Sequence, residues 1–288
     1  MKAKKAASVR VVGLARNVEQ TLKFEVTRLN AILSELFDEV TFFVVESDSV
    51  DKTRDILEEI AFQSNHFHFT SLGKVENVIP NRVARLAYCR NVYVDWLRKE
   101  NKDTTIMVID FDIQNSKLSS SAIAKAIGDL PGAAAIFANQ SGRYFDIYAL
   151  RCPGWSESDC NAEYWKLRSI YPPEKAKQLA IWSKMRKIPQ RSRPISVDSA
   201  FGGLGIYKHW VFRKFDYSPS QDEPDASEHV SLHLKIRTQG GEIYIHPGLV
   251  NFAWNPHNLS SFRILRTLDR LSATNFRSLR RRLKNRLR

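Results

Sequence analysis

Thr105-Ile106-Met107-Val108-Ile109-Asp110-Phe111-Asp112-Ile113 runs five apolar or β-favouring residues straight into two carboxylates with an aromatic between them. A short continuous apolar run reads as a strand buried on both faces, as in a parallel sheet covered by helices. Alternation along a strand sets Asp110 and Asp112 on one side and Phe111 on the other. The pair stands at the strand's carboxyl end, where ligands collect in open α/β sheets. Two hard oxygen donors suit Mg2+ or Mn2+, and such an ion can neutralise a diphosphate. The plainer reading makes the two acids solvated caps of the next helix.

Upstream, the same pattern recurs. Ser8 to Leu14 reads as a first strand, leading into Ala15-Arg16-Asn17 and a helix through about Leu36. Val40 to Val45 reads as a second buried strand, ending in Glu46-Ser47-Asp48-Ser49-Val50-Asp51-Lys52-Thr53 and a helix from Arg54, with Ser49 or Asp51 as its N-cap. His66 to Leu72 suits a third strand, and Asn81 opens a long helix on which Arg82, Arg85 and Arg90 lie near one face. Downstream come a helix over Ser119 to Gly128 and a strand over Ala133 to Ala138. Arg143 to Arg151 alternates and reads as a strand; Asp159 to about Lys187 reads as a helical or loop insertion broken at Pro172-Pro173. Ile195 to Tyr207 reads as strand, glycine turn and strand, Glu228 starts a helix, and Glu242 to Pro247 ends the sheet. Strand, polar turn and helix in repetition is the α/β pattern, and it predicts a Rossmann-like, mostly parallel central sheet flanked by helices. The polar clusters at Ala15 to Asn17, Glu46 to Asp51, Asp110 with Asp112, and His246 would then gather along one sheet edge.

The net charge of +13 is uneven. Ten Lys or Arg and one acid fall in 260–288, giving +9, so the remainder carries only +4 and lacks the electrostatic footprint of a nucleic-acid binder. In that tail Phe262, Leu265, Leu268, Leu271, Phe276, Leu279, Leu283 and Leu287 recur at helical spacing with arginines on the other faces. A basic amphipathic helix of this kind suits an anionic membrane surface. No apolar run approaches the roughly 20 residues of a bilayer span, and Met1 to Ala7 is basic without the apolar core of a signal peptide. Cys89, Cys152 and Cys160 show neither disulfide nor zinc spacing. The expectation is a cytoplasmic protein, peripheral on the cytoplasmic face of a membrane.

Glu46 to Thr53 resembles the nucleotide-binding turn of GT-A glycosyltransferases, and Arg90-Asn91 followed by Val108-Ile109-Asp110-Phe111-Asp112 resembles their Arg-Asn helix and Asp-x-Asp strand. More closely, the chain is similar to the fungal capsule-associated (cryptococcal-type) alpha-mannosyltransferase family. That likeness adds Arg82 to Asn91, Phe145-Asp146 to Arg151, Ser199 to Gly203 and Ser227-Glu228-His229, and runs from about Val9 to Trp254. Two departures stand out: those fungal proteins are usually anchored at the N-terminus, and many GT-A enzymes carry Glu-Asp where this chain has Glu228-His229.

The resemblance implies a GT-A domain over 1–258, with a donor half at about 8–115 and an acceptor half at about 130–258, and a separate tail over 259–288. It implies a retaining, Mn2+- or Mg2+-dependent transfer of a sugar from a nucleotide-sugar donor to a glycan or lipid-linked acceptor, with GDP-mannose favoured and a UDP-sugar the other option. Ala15, Arg16, Asn17, Glu46, Asp48, Arg85, Arg90, Asp110 and Phe111 would bind the donor nucleotide. Gly202 and Gly203 would lie beside the donor sugar. Asp110, Asp112 and His246 would hold the metal, with His257 a weaker competitor for the last place. Glu228 would act on the acceptor side, with Asp198 and Asp146 as alternatives, and Trp155, Tyr164, Trp165 and Trp182 could stack on sugar rings. Two rivals remain open: a nucleotidyltransferase acting on sugar phosphates, which wants a more glycine-rich first loop than Gly13 to Asn17, and a non-catalytic membrane or nucleic-acid adaptor working through the tail.

Overall fold

The computed structural model describes residues 6–100, 103–112, 115–223 and 225–252. The chain divides into a unit Met1–Ala253 and a second, Trp254–Arg288. The second unit lies outside the described residues, and with it the amphipathic tail and His257; Ile113 lies outside them too.

Eight strands form one sheet: β1 (Ala6–Ala15), β2 (Phe37–Glu46), β3 (Phe67–Ser71), β4 (Thr105–Asp110), β5 (Ala135–Asn139), β6 (Ile195–Ser196), β7 (Leu204–Lys208) and β8 (Ile243–Val250). Their order is β3-β2-β1-β4-β7-β5-β8-β6. β7 runs antiparallel between β4 and β5, and β6 is antiparallel to β8; the other pairings are parallel. The predicted mostly parallel sheet flanked by helices is therefore the one observed.

Alternation sorts the core into two faces. Val12, Phe43, Val45 and Val108 pack with α3 (Arg82–Leu97), α7 (Trp210–Lys214) and α8 (Glu228–Thr238). Val11, Phe42, Val44, Met107 and Ile109 pack with α1 (Leu22–Ser34), α2 (Thr53–Gln63) and α4 (Ser120–Asp129). The insertion forms a hairpin of α5 (Cys160–Arg168) and α6 (Pro173–Ala180). Pro173 stands at the start of α6, where its missing N–H costs nothing. Among the described residues no helix is long and apolar enough to cross a membrane.

Three local expectations need correction. Arg143 to Arg151 is not a strand: its β-type pairings are isolated bridges, Arg143 with Lys187 and Arg151 with Ser199, outside the sheet. Tyr144, Ile147, Ala149 and Leu150 are all buried, so the segment packs as a folded turn and does not alternate. The segment Ile195 to Tyr207 is strand, glycine turn and strand as expected, with β6 at the sheet edge and β7 in its middle. The last strand does not stop at Pro247 but continues to Val250 across an irregularity opposite Phe137 to Asn139. Finally, the N-cap of α2 falls on Lys52 and not on Ser49 or Asp51; Asp51 still accepts from Thr53 N at 3.0 Å, while Ser49 Oγ accepts from Asn17 N.

Candidate functional site

The carboxyl ends of β1 and β2 are laced together by side chains. Asn17 and Asp48 hold left-handed backbone (φ 53° and 61°), which their short polar side chains tolerate by bonding locally. Asn17 Oδ1 accepts from Val50 N (2.9 Å), and Asn17 N donates to Ser49 Oγ (3.2 Å). Val18 N donates to Thr53 Oγ1 (2.7 Å), and Glu19 N to Asp51 Oδ2 (3.2 Å). Glu46 is buried beneath this turn, accepting from Ser49 N (3.0 Å) and from the Ser71 hydroxyl. Asp48 Oδ1 accepts from Glu76 N at 2.9 Å, and Arg85 approaches its other oxygen to 3.8 Å. Arg16 pairs with Glu76 at 2.8 Å on the exposed rim. Ala15 ends β1 buried. The sequence set Arg82, Arg85 and Arg90 near one face of α3; the structure separates them. Arg82 is exposed, Arg85 turns to Asp48 and to the Ile79 and Pro80 carbonyls, and Arg90 turns into the core. Five residues on from Arg85 is about 140° round the helix, which explains the split.

Arg90 is the centre of the site. Its Nε donates to Glu228 Oε1 at 2.7 Å, and its NH2 reaches Asp110 Oδ1 at 3.5 Å. The guanidinium also lies 5.5 Å from the Phe201 ring centroid and 5.6 Å from that of Tyr217. Buried arginine is otherwise costly, and here two carboxylates and two π faces replace water. Glu228 opens α8, where Ser227 Oγ accepts from His229 N (3.3 Å) and the helix N-terminus favours a carboxylate. His229 stacks on Phe201 at 3.9 Å; burial first, and then Arg90, holds its imidazole well below 6.5, so it is a neutral neighbour of Glu228 and not an ion-pair partner.

Asp110 ends β4 with 27% of its side chain exposed. Burial among its surroundings, then the adjacent Asp112, push its carboxyl up to about 7, against the lowering by Arg90. Phe111 points back, buried over Gly13, where a Cβ would stand 2.9 Å from the ring and 2.2 Å from Ile109 O. Asp112 is exposed just beyond.

Beside Asp110 lies the glycine turn that enters β7. Asp110 N donates to Gly203 O at 3.0 Å. Gly202 and Gly203 have φ of 68° and 85°. Asp146 holds the turn by accepting from Gly202 N (2.8 Å) and Ala149 N (3.2 Å), and burial raises its carboxyl above the usual range despite those donors. Gly202 O accepts from Asn251 Nδ2 (2.8 Å) and Gln140 Nε2 (3.2 Å). Gln140, Asn251 and Tyr217 were missed at the sequence level. A signal existed for the first two: Asn139-Gln140 and Asn251 each follow an apolar run as Asp110 does.

Two predicted residues are not brought here. His246 is not at a strand end: it lies inside β8 and meets Asp129, the last residue of α4, at 3.1 Å. Because β8 continues to Val250, Asn251 takes the strand-end place assigned to His246. Asp198 sits level with the start of β8, where Val197 N donates to Ile243 O, and pairs with Arg237 at 3.3 Å. It is thus at the sheet's other edge, and Asp146 and Glu228 are the acids beside Asp110. Among the described residues no three His, Cys, Asp or Glu side chains form a ready metal cage.

No family model and no curated protein matches the chain. It is similar to the mannosyltransferase PcManGT of Pyrobaculum calidifontis, solved in complex with GDP-Man and Mn2+ (TM-score 0.49, 15% identity, covering 85% of this chain and 56% of that one). It is also similar to S. aureus TarS 1-349 in complex with UDP (TM-score 0.48, 11% identity, 87% and 62%). A third likeness is to glucosyl-3-phosphoglycerate synthase from Mycobacterium tuberculosis in complex with Mn2+, UDP and phosphoglyceric acid (TM-score 0.41, 14% identity, 86% and 67%). The chain spans between half and two thirds of the first two proteins. At such identities and TM-scores, likeness transfers neither activity nor substrate.

Proposed function

We propose that this chain is a metal-dependent glycosyltransferase that moves a sugar from a nucleotide-sugar donor to a glycan or lipid-linked acceptor at the cytoplasmic face of a membrane. GDP-mannose is the favoured donor and a UDP-sugar the other option; the retaining outcome rests on the family resemblance alone. The observation that carries the reading is Arg90, buried between Asp110 and Glu228 at the carboxyl edge of the sheet, beside the glycine turn that enters β7.

The residues present fit a divalent cation. Burial first, and the neighbouring Asp112 carboxylate second, let Asp110 hold its proton up to about 7, and a cation set between the two acids would favour their charged forms. Mg2+ and Mn2+ are commonly held by one or two carboxylates, with water and phosphate oxygens completing the shell, so a third protein ligand is not required. Bound there, the ion would offset the charge that develops on the leaving diphosphate. The chain's own work is positional. Arg90 fixes the spacing between Asp110 and Glu228 by bonding to one oxygen of each. Glu228 would hold or receive the acceptor hydroxyl. The laced turn of Asn17, Glu46 and Asp48 would present backbone and carboxylate groups to the nucleoside, with Arg16 and Arg85 on its rim.

A thermal-shift panel of nucleoside diphosphates and nucleotide sugars, with and without Mn2+, tests this. A ligand that binds the native state raises the melting point by mass action. One nucleotide should give a Mn2+-dependent shift that Asp112→Ala loses. A flat panel would overturn the reading, and a shift that survives Asp112→Ala unchanged would remove the metal from that aspartate.

A further inference from the structure

Three of the nine large apolar side chains that stand exposed among the described residues fall within seven consecutive positions: Trp165 (65% exposed), Ile170 (68%) and Tyr171 (39%). They surround the tip of the α5–α6 hairpin. Trp165 lies on the last turns of α5, and Ile170-Tyr171-Pro172 make the connection into α6. Arg168 donates to Tyr171 O at 2.7 Å and folds that connection back against the end of α5.

The rest of the insertion explains why these side chains are not simply core. Trp182 is buried and carries Lys177 over its ring at 5.4 Å. Trp155 donates to Lys184 O at 2.7 Å, and Lys184 pairs with Glu163. Ala176 and Ala180 form the buried side of α6. The root of the hairpin is therefore packed and hydrogen-bonded, and the tip is left facing outward with its apolar groups bare. Lys166, Arg168 and Lys175 flank the tip against one acid, Glu174.

We infer that the α5–α6 tip docks on an anionic bilayer, with Trp165, Ile170 and Tyr171 entering the headgroup region and the surrounding lysines and arginine facing the lipid phosphates. Trp and Tyr rings have an apolar body and a polar edge, which suits them to that boundary. Basic side chains beside them add attraction to an anionic leaflet. A sugar-stacking platform would not call for the cationic ring around these three side chains.

The placement relates the surface to the candidate site. Asp159 caps α5 by accepting from Ala162 N at 2.8 Å and meets Arg151, which pairs with Glu223 at 2.7 Å. Arg151 N in turn donates to Ser199 O at 2.8 Å, two residues before the Phe201 ring that faces Arg90, so the hairpin's root and the Arg90 centre share one neighbourhood. A chain docked by this tip would keep the strand-end site close to molecules embedded in the same bilayer. The docking itself does not depend on which reaction that site performs.

The test uses the full chain carrying a polarity-sensitive dye at Ile170→Cys, since Cys89, Cys152 and Cys160 are buried. A control chain carries the dye at Phe62→Cys on α2, another exposed apolar position. Phosphatidylcholine vesicles with phosphatidylglycerol should blue-shift the dye at position 170 and not at 62. Lys166→Glu with Lys175→Glu should weaken that binding by roughly tenfold or more. No shift at 170 overturns the inference, including when the chain floats with vesicles through another segment such as 259–288. An equal shift on phosphatidylcholine alone overturns the role given to the basic ring. A shift caused by a soluble glycan or protein in place of vesicles assigns the tip to that partner instead.

Discussion

Arg90 joins two carboxylates that come from different parts of the chain, Asp110 at the end of β4 and Glu228 at the start of α8. Removing one member of a buried ion pair leaves the other charge uncompensated, at a cost of about 3–5 kcal/mol. Arg90→Met should therefore destabilise by that order, and Glu228→Gln in the same chain should recover a good part of it. A denaturant double-mutant cycle reads this directly; losses that simply add would mean that the pair is not coupled. Arg90→Lys should not rescue, because a single ammonium cannot serve Glu228, Asp110 and two ring faces at once. The Asp-Phe-Asp stretch was legible in the sequence because apolar run and carboxylate are neighbours. The Arg90–Glu228 bond was not, since 138 positions separate its partners and no local pattern links them.

At the level of elements, the turn into β7 is held by geometry that only glycine meets. A Cβ on Gly202 would stand 2.7 Å from Gln140 Nε2 and 2.9 Å from Ala138 O, on a backbone of φ 68°. Gly154 has a similar φ of 70° but nothing within 4 Å of its missing Cβ. Gly154→Ala should cost only the backbone term, about 1 kcal/mol. Gly202→Ala should cost visibly more in the same denaturation series and weaken donor binding. Equal losses would show that crowding contributes nothing at Gly202. Strands and helices were largely readable from periodicity. The folded turn over Arg143 to Arg151 was misread because its alternation is incidental. What shapes it is Asp146 bonding forward to Ala149 and across to Gly202, a contact 56 residues distant. His246 was misplaced for a related reason: Pro247 reads as a strand end, yet β8 passes through it.

The whole molecule carries a buried histidine whose titration should mark its stability. His233 lies between the Ser199 and Tyr207 hydroxyls, 2.9 Å from each, and burial, then Arg90, lower its pKa from 6.5 to about 3. Between those values the unfolded chain binds the proton and the folded chain does not, so this group's contribution falls as pH falls through that window. Asp110, raised on folding, acts in the opposite sense between 3.8 and about 7. The clean observable is therefore a difference. His233→Gln should be less stable than the parent at pH 7.5, with the gap closing by about 2 kcal/mol at pH 5. Urea denaturation at the two pH values checks this, and a gap that ignores pH would sink it.

The antiparallel β7, seated between β4 and β5, has a consequence for synthesis. A ribosome completes β3, β2, β1 and β4 from one continuous stretch, yet the next sheet neighbour of β4 lies about ninety residues later. At ordinary elongation rates of about 5–20 residues per second, the backbone groups of Thr105 to Ile109 wait several seconds for Leu204 to Lys208. During that interval the nascent half-sheet offers an open edge of the kind that pairs with other chains. Asp110 and the strand that later closes beside it are thus separated in time, and this is the stage at which a chaperone would have most to protect.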